Sequence, residues 1–263
     1  MEYDGTDFCG FQFQPRMRTV AGELEATLSR LFDEPVKIAA AGRTDAGVHA
    51  VGQVISFATE RDFPIERLAL AANSLLPLDV SLREAARAPA GFSARLHALE
   101  RRYTYLILNR TQPQATLRRF SHHEHRELDL ARMRHAARDF EGTHDFISFC
   151  GVMPNDGNTV RTVRAVEIES EPPLLRLHFA AKGFLHRMVR VMTGTLLEIA
   201  VGRRPPDAVP ALLAARDRTV AGPTVPPQGL FLVGVAYADF DSNPGNLLPI
   251  GRIGSQRQSS EGT

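Results

Sequence analysis

One order of structural elements occurs twice along this 263-residue chain. Val20 to Phe32 places Leu24, Leu28 and Leu31 at helical spacing. Strand-like runs follow, Val36 to Ala41 and Gln53 to Ala58. Pro64, suited to a first helical turn, opens a second helix with Ile65, Leu68, Ala72 and Leu75 on its apolar face, and Pro77 ends it. Val80 to Ala86 and Tyr103 to Leu108 then read as strands. Asn109 to Leu128 forms a crossover, after which the rhythm returns. A helix from Asp129 to Phe140 precedes strands at Val160 to Ile168 and Leu174 to Ala180, then a helix from Phe184 to Val201. Pro205 to Ala215 makes another helix and Leu230 to Ala238 a final strand. Short connections between adjacent strands favour antiparallel pairing. The expectation is an α+β fold of two similar halves, 1–108 and 109–240, sharing one sheet. Beyond Phe240 the chain turns polar and rich in Gly and Ser, and 241–263 reads as a disordered tail.

A length of 263 residues with 43% hydrophobic and 23% charged residues suits a well-packed globular protein. No run approaches the ~18 apolar residues of a membrane span, and no basic-then-apolar signal opens the chain, so a cytoplasmic location is expected. Cys9 and Cys150 lack a CxxC context and read as free thiols. Net charge is only +1, but its distribution says more: with Lys37 and Lys182 the only lysines, 29 of the 31 basic residues are arginines. Their planar forks suit phosphate and base stacking. Arg101, Arg102, Arg110, Arg118 and Arg119 gather near Tyr103, which predicts a basic groove on a near-neutral protein. His122, His123 and His125 lack a ligand motif and read as a solvated loop, and nothing calls for a metal or cofactor.

The segment with most chemistry in it is Gly42-Arg43-Thr44-Asp45-Ala46-Gly47-Val48-His49-Ala50. It sets one carboxylate on a loop between strand-like runs, where rigid elements hold a group at a cleft. Gly42 and Gly47 permit tight turning or close approach, and Arg43 offers a cation for a carboxylate or a phosphate. An Asx-turn with a surface ion pair would use the same residue types.

The nonapeptide resembles the active-site motif of the tRNA pseudouridine synthase A family, the tRNA pseudouridine(38–40) synthases. Other segments extend the likeness. Tyr3-Asp4-Gly5 followed by Gly10-Phe11-Gln12 is similar to the family's opening, with Phe11 in place of the usual tryptophan. Arg101-Arg102-Tyr103-Thr104-Tyr105 resembles its second motif, and Gly142-Thr143-His144-Asp145-Phe146 its "G-x-HDF" signature. Phe184-Leu185-His186-Arg187-Met188-Val189-Arg190 resembles the third motif. Ala221-Gly222-Pro223 and Pro226-Pro227-Gln228-Gly229-Leu230 resemble the closing segment. These stretches run from residue 2 to about 240 in the family's order. Family members usually carry several residues before the Tyr-Asp-Gly, so part of a first strand is expected to be short here.

The resemblance implies a mixed, mostly antiparallel sheet flanked by helices, with an active-site cleft between the halves. It implies conversion of uridine to pseudouridine at positions 38, 39 or 40 of the tRNA anticodon stem-loop, by a homodimer. Asp45 would be the nucleophile, Arg190 the cation facing it and Tyr103 the ring stacked on the target base. Arg43 would help hold the flipped nucleotide, with Arg102 a further substrate contact. Covalent attack by a carboxylate splits a hard step in two, whether at C1′ or at C6. The base must leave the helical stack first, at a few kcal/mol. Two other readings compete. A non-catalytic RNA-binding protein would be expected to lack Asp45, Tyr103 or Arg190. A cofactor-free glycosidase would require a second carboxylate, for which Glu23, Glu100 and Asp145 are candidates.

Overall fold

A computed structural model describes residues 1–245. Its eleven strands are β1 (Glu2–Tyr3), β2 (Ala39–Ala40), β3 (His49–Ala50), β4 (Ile55–Ser56), β5 (Val80–Ser81), β6 (Glu100–Asn109), β7 (His122–Glu124), β8 (Gly142–Asp145), β9 (Val160–Glu171), β10 (Leu174–Ala181) and β11 (Leu230–Ala236). Five helices accompany them: α1 (Val20–Phe32), α2 (Ile65–Asn73), α3 (Leu130–Arg138), α4 (Met188–Ala200) and α5 (Ala208–Ala215). Nine strands form one sheet in the order β5-β1-β3-β11-β6-β10-β9-β8, with β7 beside the far end of β6. Every pairing is antiparallel except β11 with β3 and β6 with β7. β2 and β4 pair separately as a two-stranded ribbon. The mixed, mostly antiparallel sheet flanked by helices is therefore as expected.

Alternation decides which side of the sheet is core. Tyr103, Tyr105 and Ile107 of β6 lie beside Phe179, Leu177 and Leu175 of β10, and all six enter the main core with α3 and α4. β11 keeps Leu230, Leu232 and then Val235 on this side through a register shift between Leu232 and Gly234. Residues of the opposite parity carry Arg102, Thr104, Arg176 and His178, with one small apolar cluster of Val51, Leu106 and Phe231. α4 is buried on almost every side, because residues 221–225 pack over its outer surface.

Helix starts follow their caps. Thr19 Oγ1 accepts the Gly22 amide at 3.2 Å, and Asp129 Oδ1 accepts the Arg132 amide at 3.0 Å. Several elements differ from expectation. α4 begins at Met188 rather than Phe184, because Arg187 takes a left-handed conformation at φ 59°. The runs at Val36, Gln53 and Val80 shrink to two-residue strands, since only those residues find a pairing partner. His122–Glu124 is an edge strand and not a loop. The expected tail falls in two parts: Ser242 is pinned by its hydroxyl to the Gly52 carbonyl at 2.7 Å and to the Val235 amide at 2.8 Å, and 246–263 lies outside the described residues.

Candidate active site

Asp45 sits on the loop between β2 and β3, and the N-terminal motif frames that loop. Tyr3, buried in β1, bonds through its hydroxyl to Thr44 Oγ1 at 2.8 Å. The Phe11 amide donates to the Thr44 carbonyl at 3.0 Å, and the Val48 amide to the Asp45 carbonyl at 3.1 Å. Gly5 runs so close to the loop that a Cβ there would stand 2.0 Å from the Val48 carbonyl oxygen. Gly47 turns the chain at φ 76° with Pro227 packed against it. Gln53, fully buried, receives the Gly42 amide at 3.2 Å and donates to the Gly42 carbonyl at 2.7 Å.

The loop presents Asp45 to a cleft of about 650 Å³. Arg190, on the first turn of α4, places Nη1 at 2.8 Å from Asp45 Oδ2. Its Nε donates to the Val225 carbonyl at 2.8 Å, so the closing segment holds the arginine from behind. His186 Nε2 stands 3.5 Å from the other oxygen, Oδ1. Tyr103 faces the same cleft edge-on to Phe184, with centroids 5.3 Å apart, and burial pushes its hydroxyl well above the usual phenol range. It therefore stays a neutral phenol at physiological pH.

Asp45 is the only carboxylate among the described residues that line this cleft, against Arg43, Arg95, Arg101, Arg161, Arg187 and Arg190. Six guanidiniums about one acid favour a polyanion. The arginines differ from those anticipated by proximity in sequence. Arg101 reaches the cleft and spends its donors on carbonyls of Ala41, Arg95, Ala98 and Lys182, tying the Asp45 loop to β6 and β10. Arg102 points to the opposite side of the sheet, where it pairs with Asp241 and lies 3.8 Å from Glu100. Strand alternation carries the reason, since 101 and 103 share a side and 102 does not. Arg110 caps the carbonyls of Gln112 and Pro113, and Arg119 lies 3.7 Å from Asp7. Arg43 is exposed at the rim. Arg161 and Arg187 are distant in sequence from Tyr103, so charge clustering does not mark them as cleft residues; Arg95, eight residues before Tyr103, lies outside the cluster named from the sequence and also lines the cleft.

The carboxylates a glycosidase would require are committed elsewhere. Glu23 pairs with Arg18, Asp145 with Arg216, and Glu100 with Arg164. Among the described residues no group of three His, Cys, Asp or Glu side chains is placed to hold a metal ion. His123 Nε2 bonds instead to the Arg110 carbonyl, and Glu124 to Arg126.

A sequence profile described as tRNA pseudouridine synthase matches residues 1–95 and 136–238; Tyr103 falls in the interval between them. The tRNA pseudouridine synthase A of Moorella thermoacetica is 45% identical over 239 residues, which cover 90% of this chain and 97% of that protein. Proteins of the same name from Halalkalibacterium halodurans and Geobacillus kaustophilus are 44% and 42% identical, over 87% and 90% of this chain and 87% and 92% of their own.

Proposed function

The chain belongs to the tRNA pseudouridine synthase family, and on that premise we propose that it isomerises uridine in the anticodon stem-loop at positions 38, 39 or 40, with Asp45 as nucleophile. The observation that carries this reading is the one carboxylate among the described residues lining the cleft, held by Arg190 at 2.8 Å, with five further arginines in the lining. An arginine bound to one oxygen holds the carboxylate in place and leaves the other oxygen a lone pair to use. On attack at C1′ the carboxylate oxygen bonds to that carbon while the C1′–N1 pair stays with the uracil. The ring turns, C5 bonds to C1′ as the ester bond breaks, C5 loses a proton and N1 gains one. Addition to C6 reaches the same product. Atoms balance without a cofactor.

Extrusion of the base costs a few kcal/mol, and stacking on an aromatic side chain returns about 1–3 kcal/mol. Tyr103 supplies the ring and Phe184 braces it. Arg43, at the exposed rim, suits a bidentate grip on a phosphate beside the vacated position. Residues 1–108 and 109–240 act as the two halves of one catalytic unit, and two such chains share a tRNA in the cytoplasm. Among the described residues no helix is long and apolar enough to cross a membrane. The RNA-binding alternative gains nothing from the geometry, because the acid and its cation are already paired.

The test uses tRNA transcripts tritiated at uracil C5. Wild-type protein should release tritium, whereas Asp45→Asn should not, with tRNA affinity kept within a few fold because the RNA grip is spread over many contacts. Substantial release by Asp45→Asn would remove Asp45 from the chemistry.

A further inference from the structure

The two oxygens of Asp45 are not treated alike. Arg190 takes Oδ2 at 2.8 Å, while the neighbour of Oδ1 is His186, whose Nε2 lies 3.5 Å away. His186 belongs to the segment that enters α4 and has no assigned part in the chemistry above. Its other ring nitrogen is confined. Gly151, in the turn after Phe149, approaches so closely that a Cβ on it would fall 2.8 Å from His186 Nδ1. The Gly151 amide also donates to the His186 carbonyl at 2.8 Å, fixing the turn against this residue. The imidazole thus stands between a backbone that leaves room for it only because residue 151 has no side chain, and the carboxylate in the cleft.

We propose that His186 is a positioning residue for the nucleophile: backed by Gly151, it donates from Nε2 to Oδ1 of Asp45 and sets the angle at which the carboxylate meets the ribose or the ring. The inference rests on Asp45 being the nucleophile. A separation of 3.5 Å is longer than a formed N–H···O bond. Catalytic hydrogen bonds in unliganded enzymes are often long and tighten when substrate fills the site. Partial desolvation in the cleft, together with Arg187 and Arg190, outweighs the pull of Asp45 and holds the imidazole below its usual titration range, although 35% of the side chain stays exposed. The ring is then neutral, which suits this task. A neutral donor orients the carboxylate without cancelling the charge that attack draws on, whereas a second cation would compete with the reaction. With Nδ1 turned to the Gly151 backbone, the tautomer protonated on Nε2 is the one that serves Asp45.

The experiment measures single-turnover and steady-state tritium release for His186→Ala, His186→Gln, Gly151→Ala and the Gly151→Ala/His186→Ala double variant. Wild type and Asp45→Asn run beside them, and thermal unfolding checks each fold. His186→Ala should lower kcat by about 10- to 100-fold, the loss of one hydrogen bond to a charged group, with KM for tRNA within about 3-fold. His186→Gln, whose amide nitrogen can reach the place of Nε2, should recover most of the loss. Gly151→Ala should cost kcat in the His186 background and at least about 3-fold less once the ring is gone, since the two act through one contact. Wild-type kcat in His186→Ala, a loss confined to KM, no recovery in His186→Gln, or equal cost of Gly151→Ala in both backgrounds would each overturn the proposal. Failure of the wild type to release tritium, or release by Asp45→Asn, would instead overturn the assignment of the nucleophile.

Discussion

Gly5→Ala is the sharpest test of how the N-terminal motif supports Asp45, the proposed nucleophile. A Cβ built on Gly5 stands 2.0 Å from the Val48 carbonyl oxygen and 2.6 Å from its carbon, where ordinary contact begins at 3.4 Å. The two backbones must therefore part by about 1.4 Å. No flexible side chain can absorb this, because both partners are main chain. Val48 also closes the turn onto the Asp45 carbonyl at 3.1 Å, so the displacement is handed directly to Asp45. A misplacement near 1 Å costs on the order of 10²-fold in rate, and overpacking of this kind costs about 1–3 kcal/mol of stability. For a chain of this size that is a fall in Tm of roughly 3–10 °C. Gly183→Ala makes the same chemical change where nothing lies within 4 Å and serves as the control. Single-turnover tritium release at saturating enzyme reads the rate, and thermal unfolding reads stability. If Gly5→Ala turned over within about 3-fold of wild type and unfolded within about 1 °C of it, the loop would not be braced by Gly5 and the reasoning would fail.

Arg190→Lys keeps the charge but cannot bridge the Asp45 carboxylate and the Val225 carbonyl at once; single-turnover rate should drop by at least about 10²-fold, and retention within about 5-fold would refute the two-sided grip. Arg102→Met, on the far side of the sheet, should leave kcat and tRNA affinity within about 2-fold, and a tenfold loss in a filter-binding assay would return Arg102 to the RNA path. Burial holds both His49 and His122 below the ordinary imidazole value, so below about pH 6.5 the unfolded chain binds protons that the folded one refuses. Stability should then fall as pH drops from 7 to 5.5, by up to about 1.4 kcal/mol per unit for each histidine, and a Tm that rose over that range would contradict this.

What the sequence made legible depended on how local the cause was. α1 is legible from Val20 to Phe32 because its leucine spacing is local. The encounter of Asp45 with Arg190, 145 residues apart, could be anticipated only through motif resemblance, since no periodicity links them. The start of α4 was misjudged because an arginine in the left-handed region leaves no trace in a hydrophobic pattern. Short strands were overextended because strand length is set by the partner's reach, which propensity does not contain. Arg102 lies on the far side of the sheet from Tyr103, and period-two alternation puts Arg101 on the Tyr103 side. Gly151 carried no warning, because its importance is the space it leaves for a ring 35 positions later in the chain.

The place of β11 has a consequence for biosynthesis. This strand is the last of the eleven described to be synthesised, yet it lies between β3 and β6, in the middle of the sheet. The segment just ahead of it carries Val225, the backing of Arg190. A nascent chain that has already emitted Asp45, Tyr103 and Arg190 still lacks the strand that joins one side of its sheet to the other. Two strand edges remain unpaired until then, open to mispairing or to a chaperone. Activity should consequently arrive in a single step as Leu230–Ala236 docks, and a ribosome stalled shortly before it would hold Asp45, Tyr103 and Arg190 without activity.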